Sequence, residues 1–235
     1  MKIVALSDMH GHYDGFTIEP SEVMVICGDV VPVRMQRNIP QSFKWLKNAF
    51  IPWIERQPIE KVFMVFGNHD FFAENEEETK RTLIGTKITA LYNESVEYLS
   101  NDGNTYSIFG SPLCHIFGKW AFMMSDEYNK EQYLKMPNDL DILITHDGAY
   151  GHSDQCLGFS RQEERDLHRG NIPLKEVVEE KKPRYHLFGH LHTCDHNVIN
   201  YDGTKTACVS LLNELYDRVY DPLYLDITKQ NVEDY

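Results

Sequence analysis

No stretch of the 235 residues approaches the ~18 consecutive apolar positions that a membrane-spanning helix needs. The opening Met1-Lys2-Ile3-Val4-Ala5-Leu6-Ser7-Asp8 carries an apolar run shorter than that of a signal peptide and no small-residue cleavage site, so a soluble, cytoplasmic protein is expected. Cysteine is sparse. Cys27, Cys114, Cys156, Cys194 and Cys208 are odd in number, widely spaced and lack a Cys-x-x-Cys pair, which points away from a disulfide framework or a thiolate zinc site and towards reduced packing residues. Positive charge is also in deficit: 23 Lys and Arg against 36 Asp and Glu leave a formal −13, which argues against nucleic acid or an anionic membrane surface as a partner. There is no internal repeat, low-complexity tract or linker, so residues 1–235 read as a single domain with a polar tail at 228–235. An apolar share of 42% with 12% aromatics is enough to bury a core and excludes bulk disorder.

Short apolar runs bounded by turn residues recur at Ile3 to Leu6, Val23 to Ile26, Val62 to Phe66, Tyr106 to Phe109, Ile142 to Thr145 and Tyr185 to Phe188, as buried strands do. Between the second and third, Trp45, Leu46, Ala49, Phe50, Trp53 and Ile54 recur at helical spacing and predict a core-facing helix that Pro52 kinks or shortens. A second helix runs from Pro173 through Val177 and Val178 to Lys182, stopped by Pro183. Asp102-Gly103 and Asp202-Gly203 read as hairpin turns, which adds antiparallel pairs to an α/β pattern with mixed sheets. Glu74 to Arg81 reads as a solvated helix face or loop, and the mixed-sign Arg161 to Arg169 as a solvated helix face.

Metal-ligand chemistry follows almost every apolar run. Asp8-Met9-His10 follows the first, Gly28-Asp29 the second, Gly67-Asn68-His69-Asp70 the third, His146-Asp147 the fifth and Gly189-His190-Leu191-His192 the last. Carboxyl ends of parallel strands gather along one sheet edge, so these side chains are expected to converge. The i, i+2 pairs Asp8/His10 and His190/His192 project to one side if the backbone stays extended. A donor set of imidazoles, carboxylates and one carboxamide suits Mn, Fe, Zn, Co or Ni better than Mg or Ca.

The ordered series Asp8-x-His10, Gly28-Asp29, Gly67-Asn68-His69-Asp70, His146 and Gly189-His190-x-His192 resembles the calcineurin-like metallophosphoesterase superfamily. Phe109-Gly110-Ser111-Pro112, Trp120-Ala121-Phe122 and Asp141-Ile-Leu-Ile-Thr-His146 are similar to its metallophosphoesterase-domain-containing phosphodiesterase branch, although Asp147 to Asp154 lacks the prolines usual there. The resemblance implies a metallo-dependent phosphatase-like β-sandwich with helices on both outer faces. It implies two divalent transition-metal ions, manganese favoured, with Asp8, His10 and His192 on one, Asn68, His146 and His190 on the other, and Asp29 shared. His69 matches the family's non-ligand histidine, and Asp70 is expected to orient it. Two such ions clamp a phosphoryl group and lower the pKa of a bridging water, whose hydroxide attacks phosphorus in line while His69 protonates the leaving oxygen.

Asp and Asn after strands are often mere turn or capping residues, and single histidines are usually structural; the joint spacing outweighs both readings. Arg34 is a candidate phosphate clamp, and His115 and His152 are candidate substrate contacts. The expected substrate is a small phosphodiester. A nuclease or phosphomonoesterase of the same superfamily is the nearest alternative, and a metal-stabilised, non-catalytic interaction module the alternative from another class. Aromatics around Trp45 and Trp120, expected to be exposed, leave a homo-oligomer open.

Overall fold

The computed structural model describes residues 1–13, 15, 17–156 and 168–229. Its strands are β1 (Lys2–Leu6), β2 (Ser21–Cys27), β3 (Ile59–Val65), β4 (Ile88–Ala90), β5 (Glu94–Leu99), β6 (Thr105–Ser111), β7 (Ile142–Thr145), β8 (Tyr185–Phe188), β9 (Ile199–Tyr201), β10 (Thr204–Cys208) and β11 (Leu223–Asp226). They form a five-stranded sheet in the order β11-β1-β2-β3-β4 and a six-stranded sheet in the order β5-β6-β7-β8-β10-β9. Interior pairs are parallel, and β11, β5 and β9 close edges antiparallel. Both sheets are therefore mixed, and all six predicted runs lie in strands except Phe66, one residue past the end of β3.

Alternation along the strands decides which face meets which layer. Ile3, Ala5, Val23, Val25, Phe63 and Val65 face Tyr106, Ile108, Ile142, Ile144 and Leu187 across the sandwich. Their neighbours Val4, Leu6, Met24, Ile26, Val62 and Met64 pack outward against Phe43, Leu46, Phe50, Trp53 and Ile54. On the opposite outer face, Phe109 and Leu143 meet Tyr133, Leu174, Val177 and Val178. Each fully buried Leu, Ile or Phe in these layers contributes about 1.5–3 kcal/mol. The result is an α/β β-sandwich with helices on both faces.

The helices are α1 (Ile39–Trp45), α2 (Ile51–Glu55), α3 (Glu76–Leu83), α4 (Asp126–Tyr133) and α5 (Ile172–Lys181). Pro52 does not end the predicted segment, which stays helical from Ile39 to Glu55. A π turn over Leu46–Phe50 joins α1 to α2, with the Ile51 N–H reaching back to the Leu46 carbonyl, and Pro52 falls in the first turn of α2 where a missing N–H costs least. Asn75 caps α3 through the Glu78 N–H, which makes the acidic run a helix with Glu76 to Glu78 in its first turn. Asn171 caps α5 in the same way. Asp202 and Gly203 both have positive φ (48° and 101°) and form the two-residue turn between β9 and β10.

Trp45 and Trp120 are half-buried rather than exposed. Trp45 stacks on Phe50 with ring centroids 5.4 Å apart, and Trp120 lies against His69 at 4.6 Å. Residues 161–167 of the mixed-sign segment and 230–235 of the polar tail lie outside the described residues. No helix among the described residues is long and apolar enough to cross a membrane.

Candidate metal centre

The carboxyl ends of β1, β2, β3, β7 and β8 meet at one edge of the sandwich, where a bridge between Ser7 and Ser210 ties the two sheets together. The backbone there is not extended. Asp8, His10, Asp29 and His190 have φ of 54°, 44°, 52° and 67°, a left-handed conformation that costs a non-glycine residue on the order of 1–3 kcal/mol. This corrects the expectation that the i, i+2 pairs project through an extended chain. The twist is held by hydrogen bonds from Asp8 N to Gly28 O and from His10 N to Asp29 O, each 3.0 Å. Two glycines permit the close approach: a Cβ on Gly67 would collide with Asp29 and His146, and one on Gly189 with Ser7 and Asp8.

Three groups of ligand atoms result, each with its members within 4.8 Å of one another: Asp8, His10 and His192; Asp8, Asp29 and His146; and His10, Asp29 and His69. Asp29 Oδ2 lies 3.4 Å from His146 Nε2, 3.6 Å from His10 Nε2 and 3.9 Å from His69 Nε2. His190 stands outside these groups, with its ring 5.1 Å from that of His146, and does not pair with His192 on a common ion site. Asn68 Oδ1 lies 2.9 Å from His146 Nε2.

Two imidazoles are oriented by carbonyls, which can only accept. His146 Nδ1–H donates to Cys27 O at 2.7 Å and His192 Nδ1–H to Asn213 O at 3.0 Å, so both turn Nε2 to the cluster. Asp8 Oδ2 accepts from Ser210 Oγ at 2.7 Å and from the His190 N–H at 2.9 Å. Its Oδ1 faces His192 Nε2 at 3.3 Å without a hydrogen bond, and neither ring nitrogen of His10 has one, although all three of these unbonded atoms are buried. Buried polar atoms are almost always satisfied. Orphaned lone pairs converging from a carboxylate and imidazoles fit divalent cations.

The electrostatics agree with that fit. Burial drives the His10 and His190 imidazoles down to about 4, which keeps them neutral. Burial opposes charge at His146 and His192 too, but Asp29 outweighs it at the first and Asp8 at the second, raising them to about 10 and about 9. Burial alone would raise the Asp8 and Asp29 carboxyls, yet the facing imidazoles hold both below the usual carboxylate range. The site gathers positive charge around two buried carboxylates, either as protons on His146 and His192 or as cations that displace them.

Comparison with known proteins settles the family. Residues 1–194 match the model of the calcineurin-like phosphoesterases. The chain belongs to the calcineurin-like phosphoesterases. Relatives of this phosphoesterase include a UPF0046 protein of Caenorhabditis elegans, 30% identical over 212 residues that cover 87% of this chain and 67% of that one. Human metallophosphoesterase domain-containing protein 1 is 26% identical over 251 residues, covering 96% of this chain and 71% of its own. The chain spans 60% to 71% of the length of the UPF0046 and human relatives that it matches. The fold is similar to the crystal structure of the phosphopantetheinyl hydrolase of Mycobacterium tuberculosis, with a TM-score of 0.57, 14% identity, and 92% and 90% of the two chains covered. Calcineurin-like phosphoesterases use divalent metals, and the strand-end cluster of this one offers the donors for them.

Several expected contacts of the phosphoesterase are placed differently. Asp70 does not orient His69: its fully buried carboxylate accepts from Val31 N and Gly67 N, each at 2.9 Å, and from Val30 N at 3.1 Å, tying the Asp29 loop to the Asn68 loop. Burial and the nearby Asp29 charge raise it to about 7. The His69 ring is held instead by Gln36 Oε1, the acceptor of its Nδ1–H, which leaves Nε2 towards Asp29. Arg34 is exposed and makes no hydrogen bond or ion pair among the described residues. Arg37, three residues on, is the cation that lies over Phe71 and Trp120, at 4.3 and 5.1 Å from the ring centroids. His115 is engaged with Asp147, Nδ1 to Oδ2 at 2.7 Å, and its ring lies 5.4 Å from that of Phe117, which in turn lies 5.1 Å from that of His190. His152 stacks on Tyr201 at 4.5 Å and lines a separate cavity of about 320 Å³ with Glu179 and Lys182. Gln36, Ser210, Asn213 and Tyr216 complete the centre without any signal in the sequence, since each is an ordinary residue type placed by a loop.

Proposed function

We propose that this calcineurin-like phosphoesterase is a binuclear metal-dependent phosphodiesterase acting on small phosphodiesters. Asp8, His10 and His192 would hold one ion, Asn68, His146 and His190 the second, and Asp29 both; manganese suits the donors, as do iron, zinc, cobalt and nickel. Bound there, two divalent ions would offset phosphoryl charge and activate the attacking water. The chain's own residues do the rest. His69, with Nδ1–H donating to Gln36 and the ring braced by Trp120, presents Nε2 to the leaving oxygen; its doubly protonated form donates the proton that the leaving alkoxide needs. The backbone N–H of His69 donates to Asp29 Oδ1 at 2.8 Å, which couples the acid's position to the shared carboxylate.

The observation that carries the diester reading is the aromatic wall. Trp120 lies 4.6 Å from His69, Phe117 5.1 Å from His190 and Tyr216 4.9 Å from His10, ring centre to ring centre. Apolar surface on several sides of a charged centre favours a phosphate with an organic group on each side. Hydrolysis of bis-p-nitrophenyl phosphate and p-nitrophenyl phosphate with added manganese tests this. The expected result is faster diester cleavage that disappears in Asp29→Ala and in His69→Ala. Faster monoester cleavage would make it a phosphomonoesterase, and bound metal without turnover of either ester would favour the interaction module.

A further inference from the structure

Behind the loop that carries His190 and His192 lies a second group of ligand atoms with different chemistry. Cys194, His196 and Cys208 each bring one within 4.8 Å of the others. Parallel pairing makes this possible: Cys208 ends β10 opposite Phe188 of β8, and the chain leaving β8 turns back over it. The two cysteines are 5% and 1% exposed, in a pocket with Phe188 and Leu191, and Cys156 packs against the same cluster. Both thiols aim at one acceptor, the Leu191 carbonyl, at 2.9 and 3.3 Å. His196 stacks face to face on Tyr220 with centroids 3.5 Å apart. Its Nε2 lies 3.4 Å from the His192 carbonyl, and because a carbonyl only accepts, the ring's neutral tautomer has one unprotonated nitrogen. Packing alone explains buried cysteines, but it does not explain an oriented imidazole beside a thiol pair.

We propose that Cys194, His196 and Cys208 form a second metal site, sulfur-rich and distinct from the carboxylate–imidazole centre, for a thiophilic divalent ion of the zinc class. Two thiolates and an imidazole are a borderline-soft donor set that suits tetrahedral zinc and excludes manganese by preference. An ion there pins the His190–His192 loop to β10. It also touches the first centre's support, because Cys208 Sγ lies 3.5 Å from Ser210 Oγ, which in turn donates to Asp8 at 2.7 Å.

Cobalt(II) titration of the full chain, stripped of metal by chelation, tests the site without relying on activity. Cobalt bound by thiolate gives a near-ultraviolet charge-transfer absorption that an oxygen–nitrogen site does not. The expected result is such an absorption, absent in Cys194→Ser and in Cys208→Ser, weaker in His196→Ala, and retained in Asp29→Asn, where it saturates at one ion per chain. Should the serine variants fail to fold, zinc added to the wild-type chain should protect Cys194 and Cys208 from alkylation, as mapped by mass spectrometry. No thiolate absorption at any cobalt loading together with no protection by zinc would overturn the site, as would an absorption that survives in folded Cys208→Ser. Oxidation of the pair to a disulfide without metal uptake would overturn it as well.

Discussion

Asp8 and Asp141 are buried equally well, with side chains 0% and 3% exposed, yet they stand at opposite ends of the sandwich and live differently. Asp141, at the amino end of β7, is saturated by the protein: it accepts from Ser107 N at 2.9 Å, Arg184 Nη1 at 2.7 Å and Lys229 Nζ at 3.2 Å. Asp102 beside it accepts from the N-terminal ammonium, Tyr106 and Asn104. At the carboxyl end, Asp8 Oδ1 and both nitrogens of His10 are left without hydrogen bonds. A buried carboxylate whose every lone pair is met by the chain closes the architecture. One whose oxygen faces an imidazole nitrogen, as Asp8 Oδ1 faces His192 Nε2 at 3.3 Å, needs a proton or a cation between the two.

The sharpest way to break this contrast is Asp29→Ala, which should abolish manganese binding and hydrolysis together; elemental analysis and diester assay of one preparation would check it. Next, His69→Ala should lower kcat by about 10²–10⁴ while metal content stays at the wild-type value, since the residue is assigned to proton transfer and not to ligation. A loss of metal in that variant would move His69 into the ligand set, where its grouping with His10 and Asp29 also allows it. Ser210→Ala removes a donor to Asp8 and should weaken metal affinity about 10–100-fold, read by calorimetric titration.

The amino end should respond in the opposite sense. Asp141→Ala leaves the Ser107 N–H unpaired and should cost about 1–3 kcal/mol in urea unfolding, with kcat per folded molecule unchanged. A smaller effect comes from His186, whose Nε2–H donates to Thr145 Oγ1 at 2.8 Å while Nδ1 has no partner. Burial depresses its pKa from 6.5 to about 3. Between those values the unfolded chain binds the proton and the folded chain does not, so stability is full above pH 6.5 and falls as pH drops towards 3. Replacing it by Gln should flatten that slope in urea titrations at pH 7.5 and pH 5.

The strands legible in the sequence are the largely buried ones, whose runs are mostly apolar; β4, with Thr89 between Ile88 and Ala90, and the half-buried β11 are too short or too mixed to stand out. The ligand residues were legible because each follows such a run and topology brings the strand ends together. Their backbone was not, since left-handed φ at Asp8, His10, Asp29 and His190 arises from cross-strand hydrogen bonds and not from local preference. Gln36 takes the place beside His69 that was expected of Asp70, and Arg37 rather than Arg34 lies over Trp120, for a similar reason: the turn at Val33–Met35 sets which side chains of this loop point that way. Cys194 and Cys208 lack any metal-binding spacing in the chain, and only the β8–β10 pairing makes them neighbours.

Manganese binding to the full chain, followed by calorimetry in the wild type and in Asp29→Asn, tests the central claim most directly. Manganese avoids thiolates, so it reports the carboxylate–imidazole centre alone. Two ions per chain, with the shared carboxylate's loss abolishing uptake, is the predicted result. No binding in the wild type, or two ions bound undiminished in Asp29→Asn, would contradict it.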